Sequence, residues 1–334
     1  MIGLVLLVLI AIAPISNWPS GGRPTGTPDA SEAAPATWSA SRTPGATTRA
    51  SEPVESSPTP GASRSDAPVA VLVGAGDIAD CGSDRDSATA DVLEGIPGTV
   101  FTLGDNAYES GSAAEFERCY GPTWGRPSIL RRTRPAAGNH EYVTAGAVGY
   151  FGYFGAAAGD PSMGYYAYDA GAWRIYVLNS NCEFIGGCER DSPQERWLRA
   201  DLEAHPRACV AAMWHHPRFS SAQHGNQPFM HDLWQTLEDA GAELVLAGHD
   251  HTYERFAPQT ADGRADPERG IVELVVGTGG RSSYRFETIR DNSLVRETGS
   301  FGVVRLTLAT SSWAFEFVPI AGEAFSDGGS APCH

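Results

Sequence analysis

The sequence predicts an α/β fold of four layers, in which two mixed β-sheets pack face to face and helices cover both outer sides. Three observations lead there. Strand-like apolar runs alternate with helical segments through the first half of the folded region, strands dominate after Gly270, and no internal repeat divides the chain. Alternation alone would suit one doubly wound sheet, but the strand-rich second half asks for a second sheet packed on the first.

The expected strands are short apolar runs at residues 69–73, 99–103, 133–136, 165–168, 173–178, 209–214, 243–247, 271–276, 303–308 and 313–318. Helices are expected over residues 87–93, 193–204 and 229–240. The clearest of these is 193–204. Ser192 can cap it, Pro193 suits its first turn, Glu195 completes a Ser-x-x-Glu capping box, and Trp197, Leu198 and Leu202 line one face. The aromatic run Tyr150, Phe151, Tyr153, Phe154 reads as core, with one ring able to flank an entrance.

Of the 334 residues, the folded part is expected to be one large catalytic domain over residues 67–334. Residues 1–16 carry an apolar stretch too short to span a bilayer comfortably and followed by polar, Pro-rich sequence, as in an export signal. No Lys or Arg precedes the stretch, so an uncleaved N-terminal membrane anchor is its rival. Residues 17–66 are dominated by Ser, Thr, Pro, Ala and Gly, cannot bury enough apolar surface to offset ordering entropy, and read as a disordered tether to a membrane or wall. The expected location is therefore secreted or extracytoplasmic.

Forty acidic against 24 basic side chains give a formal charge of −16 and an isoelectric point near 4.9. Nucleic-acid polymers are excluded as partners on that balance, since they need a basic footprint. A small phosphate ester stays open as a substrate, because bound cations set the field locally. The six cysteines of an exported chain point to disulfides. Connectivity is underdetermined, but Cys182 with Cys188 is the easiest pair. Cys81 with Cys119 could staple the motif loops, which leaves Cys209 with Cys333. A thiolate zinc site is disfavoured, because no two cysteines have Cys-x-x-Cys spacing.

Five short motifs follow the strand-like runs: Gly76-Asp77, Gly104-Asp105 with Tyr108, Gly138-Asn139-His140-Glu141, His215-His216-Pro217 and Gly248-His249-Asp250-His251. Loops leaving the carboxyl ends of such strands meet on one rim of an open sheet, so these oxygen and nitrogen donors would meet in space. They suffice for two adjacent cations. Asp105 is assigned as the bridging carboxylate, with Asp77, Tyr108 and His251 on one side and Asn139, His215 and His249 on the other. Two cations about 3.5–4 Å apart suit hydrolysis of a phosphate ester.

The ordered set of motifs resembles the calcineurin-like metallophosphoesterase superfamily, and most of all its purple acid phosphatase branch, over roughly residues 69–318. The resemblance implies the metallophosphoesterase fold, an αββα sandwich, and hydrolysis of small phosphomonoesters by in-line attack of metal-bound hydroxide. Ala79 stands where the superfamily's first motif carries a histidine, and Tyr108 offers the replacement. Purple acid phosphatases make the same exchange, which implies Fe(III) paired with Fe(II), Zn(II) or Mn(II). A phenolate is a hard donor suited to Fe(III). If Tyr108 merely packs, two Zn or Mn ions are the expectation.

The resemblance further implies that His140 stabilises the transition state or protonates the leaving group, and that His224 binds substrate and assists the leaving group; the residues alone also allow His140 as a hydrogen-bond partner of a carboxylate and His224 as a solvent-exposed loop histidine. The His-x-Pro spacing selects His215 as ligand and leaves His216 to face substrate or support the ligand shell, with a swapped assignment left open. Arg255 and Arg218 could hold a phosphate bidentately, although Arg255 also reads as a buried partner of a carboxylate. Glu141 is expected to orient a ligand, and Gly277 to Gly280 to form a tight turn at the rim. His205, His231 and His334 have no motif context and default to surface or structural positions. Substrate specificity is expected in the loops 146–164 and 256–268. The alternatives are a phosphodiesterase or nucleotidase of the same superfamily, a non-catalytic surface binding protein, and a wall-bound adhesion module. Oligomeric state is not encoded in any of these features.

Overall fold

A computed structural model describes residues 70–207 and 209–334. The expected signal or anchor at 1–16, the tether at 17–66 and the domain start at 67 lie outside the described residues. In chain order the strands are β1 (Ala70–Ala75), β2 (Thr99–Thr102), β3 (Thr133–Arg134), β4 (Tyr166–Ala170), β5 (Trp173–Val177), β6 (Cys209–Met213) and β7 (Leu244–Ala247). They continue with β8 (Tyr253–Phe256), β9 (Val272–Val276), β10 (Ser293–Glu297), β11 (Gly302–Leu308), β12 (Ser312–Pro319) and β13 (Gly328–Pro332). One sheet has the order β13-β12-β11-β1-β2-β3 and the other β10-β8-β9-β7-β6-β5-β4. Both are mixed: β1, β2 and β3 run parallel, as do β5, β6, β7 and β9, while β11 and β8 join antiparallel.

The period-two alternation of strand side chains builds two cores from one sheet. Ala211 and Met213 on β6 and Leu244 and Leu246 on β7 face the first sheet, where they join Leu72, Phe101, Val304 and Leu306. Val210, Ala212 and Val245 face the other way, against Leu198, Leu233, Trp234 and Leu237 of the helices Pro193–Ala204 and His231–Asp239. Strands buried on both faces read as unbroken apolar runs, and so these were visible in the sequence.

Three strands were not expected. β8 carries Glu254 and Arg255 and reads as charged, β10 is an edge strand that is half exposed along its length, and β13 is built on Gly328, Gly329 and Ser330. The expected strand over 133–136 shortens to Thr133–Arg134. The capping box at Ser192 forms by half. Ser192 Oγ accepts the Glu195 N–H at 3.3 Å, but the Glu195 carboxylate turns to the Asp191 N–H and the Thr236 hydroxyl instead. The Tyr150 to Phe154 aromatics pack inside against Phe116 and Tyr120.

All six cysteines pair as expected: Cys81–Cys119, Cys182–Cys188 and Cys209–Cys333, with Cα separations of 4.8, 5.2 and 5.5 Å. The last ties the start of β6 in one sheet to the residue after β13 in the other. No helix among the described residues is long and apolar enough to cross a membrane.

At the start of β7, Glu243 is 3 % exposed and accepts the backbone N–H of His334 at 2.9 Å. Burial pushes its carboxyl from 4.5 up to about 7, against the pull of that hydrogen bond. The folded state thus keeps a proton that the unfolded chain releases earlier, so this group's stabilisation is complete below about pH 4.5 and lost as pH rises through about 7. Glu243→Gln is expected to leave the melting temperature unchanged near pH 4 and to raise stability by roughly 1–3 kcal/mol at pH 8, measured by thermal unfolding across pH.

Candidate metal centre

Three of the motif residues sit in the left-handed backbone region, Asp77 at φ 61°, Asp105 at φ 49° and His249 at φ 70°. Such residues cost conformational energy and persist only where neighbours over-determine them. Here the loops leaving β1 and β2 remain zipped past the strand ends. The N–H groups of Asp77, Ile78 and Ala79 donate to the carbonyls of Gly104, Asp105 and Asn106, and the Tyr108 N–H donates to the Ala79 carbonyl. Glu141, fully buried, then clamps the β2 loop from the other side. Its Oε2 accepts the N–H groups of Gly138 (2.7 Å) and Asp105 (3.0 Å), and its Oε1 those of Asn106 (2.8 Å) and Ala107 (3.3 Å). Gly104, at φ 84°, allows the close approach: a Cβ there would stand 2.6 Å from His215 Nδ1 and 2.7 Å from Gly138 Cα.

These constraints bring all seven candidate ligands together. On one side, the Tyr108 hydroxyl lies 3.0 Å from both Asp77 Oδ1 and Asp105 Oδ2, and His251 Nε2 lies 3.3 Å from the hydroxyl and from Asp77 Oδ1. On the other, His215 Nε2 lies 3.0 Å from Asn139 Oδ1, 3.2 Å from His249 Nδ1 and 3.3 Å from Asp105 Oδ2. Asp105 Oδ2 therefore touches both groups, as a bridging atom must. His215 Nδ1 is 2.7 Å from the Leu103 carbonyl, which cannot donate, so Nδ1 carries a proton in either charge state and Nε2 is the atom left to face a cation. His251 Nδ1 rests on Ser282 Oγ at 2.7 Å and likewise turns Nε2 inward.

The donor chemistry fits cations. Carboxylate, phenol, amide and imidazole acceptors crowd into one buried space, where their repulsion is relieved only by protons. Burial opposes ionisation of Asp105, but the neighbouring His215 and His140 hold its carboxyl well below the usual range. His215 is itself pushed up to about 9 by Asp105 and Asp77, although its burial acts in the opposite direction. Burial and the two carboxylates drive the Tyr108 phenol well above its ordinary value, so a phenolate here requires an adjacent cation.

The remaining candidates divide. The His140 N–H donates to Asp105 Oδ1 at 2.9 Å, its Nδ1 is 2.6 Å from the Glu109 carbonyl, and its Nε2 is 3.8 Å from Asp105 Oδ2. His224 stacks on His249 with ring centres 4.2 Å apart, and its N–H donates to Asp250 Oδ1. His216 lies 4.4 Å ring to ring from His249, with Nδ1 on Ser180 Oγ, and burial with the His215 charge pulls it down to about 3.

Arg255 corrects the expectation of a phosphate clamp. Its Nε and Nη2 bind the two oxygens of Asp327 at 2.7 and 3.1 Å, so the fork is already filled by a carboxylate. Arg218 binds the Ala261 carbonyl and lies over Phe219. Gly277 to Gly280 do form a rim turn, pressed so closely on Asp250 that a Cβ on Gly277 would stand 2.1 Å from its carbonyl oxygen. His205 and His231 are solvent-facing, and His334 borders Glu243.

Two site neighbours escaped the sequence reading. Tyr284 stacks flat on His251 at 4.0 Å, and Arg281 lies over the Tyr108 ring at 4.7 Å while pairing with Asp80 and Glu109. Both belong to a polar loop without periodicity, and only Asp80, three residues past Asp77, hinted at a cationic partner. The cleft beside the site, about 550 Å³, is lined from residues 139–143 and 180–184 with His216 and Phe229. The loops 146–164 and 256–268, expected to carry specificity, do not line it.

Replacing Glu141 by Gln sets an amide donor against N–H donors in a buried space. Glu141→Gln is expected to cost roughly 2–4 kcal/mol of stability and to lower bound metal per chain, measured by denaturant unfolding and by elemental analysis of purified protein.

Comparison with known proteins agrees with this geometry. The calcineurin-like phosphoesterase family profile matches residues 62–253. Purple acid phosphatase 18 of Arabidopsis thaliana is 28% identical over 166 residues, covering 47% of this chain and 37% of that protein. An uncharacterised Mycobacterium tuberculosis protein, Rv2577, is 30% identical over 194 residues with the same coverages of 47% and 37%. The chain thus spans well under two thirds of the length of these relatives. Among solved structures, the purple acid phosphatase PPD1 from yellow lupin seeds superposes with a TM-score of 0.66 at 19% identity, over 79% of this chain and 53% of that one. That likeness carries the two-sheet fold, and the profile match over more than half of the sequence carries the lineage: the chain belongs to the calcineurin-like phosphoesterase family.

Proposed function

We propose that this protein is an exported, dimetal phosphatase of the purple acid type that hydrolyses small phosphomonoesters. The observation that carries the reading is the position of Asp105 Oδ2, in contact with Tyr108 and His215 at the meeting point of two donor groups. Asp77, Tyr108 and His251 would hold one cation, Asn139, His215 and His249 the other, and Asp105 both. Bound there, the cations supply an acidified water as nucleophile and neutralise charge on the phosphoryl oxygens.

The chain's own residues supply the rest. His140 Nδ1 is engaged by the Glu109 carbonyl, which leaves Nε2, 3.8 Å from Asp105 Oδ2, as the atom able to carry a proton to the departing alkoxide. His224, held through its backbone by Asp250 and stacked on His249, would donate to a phosphoryl oxygen. His216 stays neutral at low pH, consistent with a role in shaping the pocket. Tyr108, as phenolate, suits Fe(III), with Fe(II), Zn(II) or Mn(II) beside it. Export is supported by three disulfides among the described residues, which persist in oxidising compartments. A small ester fits as partner, since the acidic chain offers nucleic acid no basic footprint.

Phosphate release from a chromogenic phosphomonoester by the purified full chain tests the reading. His140→Ala and Asp105→Asn are each expected to lower kcat/KM by about 100-fold or more. Turnover of diesters alone would move the activity to a phosphodiesterase, and metal-loaded protein inert toward both would favour the binding-protein alternative. For the metal pair, a visible charge-transfer band lost in Tyr108→Phe is expected; a colourless, active, iron-free protein overturns the iron assignment.

A further inference from the structure

The cleft beside the metal centre has a chemistry of its own. Asn139 and His216 belong to both, so a phosphoester seated at the centre must send its organic part along this cleft or into solvent. Its lining includes a stacked pair, Tyr142 against Phe184, with ring centres 4.6 Å apart and 18° between planes. Phe229 lines it too, its ring 5.7 Å from His216. Phe184, Phe229 and Val143 are 51, 43 and 66 % exposed, so large apolar faces lie bare at the mouth of a polar site. Exposed apolar groups that converge on a cleft mark a binding surface more often than scattered ones do.

Charge sharpens the argument. The chain contains no lysine, none of its arginines lines the cleft, and the one formally charged lining residue is Glu183. A leaving group with further phosphates or carboxylates would find no counter-charge there and would meet a carboxylate. A flat, uncharged ring would find two aromatic faces. The Phe184 ring is also fixed in place, since it lies on the four-residue helix Cys182–Ile185, which the Cys182–Cys188 disulfide closes, and Tyr142 is anchored through its hydroxyl by the Asn179 amide at 2.7 Å. Preformed aromatic walls lose little entropy on binding.

We infer that this cleft is the leaving-group subsite and that it selects phosphomonoesters of flat, uncharged aromatic alcohols over those whose leaving group is aliphatic or anionic, a refinement that rests on the phosphatase reading above. Phe184 is the specificity-determining residue. It touches the leaving group and no candidate metal ligand, so its loss moves selectivity and not basal turnover.

The test compares wild type, Phe184→Ala and Phe229→Ala in the metal-loaded full chain with 2-naphthyl phosphate, glycerol phosphate and methyl phosphate. Taking each variant against wild type on the same substrate cancels the intrinsic reactivity of the leaving groups. Phe184→Ala is expected to lower kcat/KM for naphthyl phosphate by roughly 3- to 10-fold and to leave the other two unchanged. Binding of naphthylphosphonate and methylphosphonate, followed by calorimetry, reads the subsite without turnover. A naphthyl preference that Phe184→Ala removes supports the subsite even if no ester is hydrolysed, in which case the phosphatase reading alone fails. Equal effects on all substrates, or equal binding of the two phosphonates in wild type and variant, overturn the subsite while leaving any measured phosphatase activity standing.

Discussion

Glu141 accepts four backbone N–H groups inside the protein, and the arrangement of the metal centre descends from that contact. A carboxylate with no water around it is tolerable only when donors surround it, and the donors here come from the two loops that carry Asn139 and Asp105. Holding those loops together forces Asp105 into the left-handed region, aims its carboxylate between Tyr108 and His215, and lets Gly104 pass against the His215 ring. Burial and the Asp105 charge push the Glu141 carboxyl up to about 7, which measures how hard the surroundings press on this one group. Cations beside Asp105 would relieve that pressure, so fold and metal content are coupled through a residue that binds no metal.

The same economy of charge runs through the neighbouring loop. Asp250 binds Ser220 and the His224 N–H, Glu254 binds the Ser221 N–H, and Glu273 binds the N–H groups of Arg218 and Phe219. Three buried carboxylates thus hold the segment that presents His224 at the rim. None is a candidate ligand, and each replaces a stretch of regular hydrogen bonding that an irregular loop cannot make for itself. Part of the acidity that separates this chain from nucleic-acid binders is internal scaffolding.

What could be read in advance followed from burial. Strands enclosed on both faces, such as β6 and β7, show continuous apolar runs, and ligand types that recur in order at strand ends are visible as motifs. The helix start at Ser192 was legible because capping is local. Tyr284 and Arg281 were not, since a ring stacked on His251 and a guanidinium over Tyr108 are placed by the path of an irregular loop and leave no period or spacing behind. Arg255 was legible in both of its roles, and only the position of Asp327, 72 residues on, decided between them. The strands β10 and β13 lie at sheet edges, where one or both faces meet water and side-chain chemistry is free to be polar.

Ala79 bears on where Tyr108 is held. It is fully buried, its N–H is bound to Asn106, and its carbonyl holds the Tyr108 backbone, so the residue standing in the absent histidine's position is also what steers its substitute. A larger side chain introduced there would have to be accommodated in a fully buried site. Positions 79 and 108 are thus joined through the backbone, so a change at one bears on where the other is held.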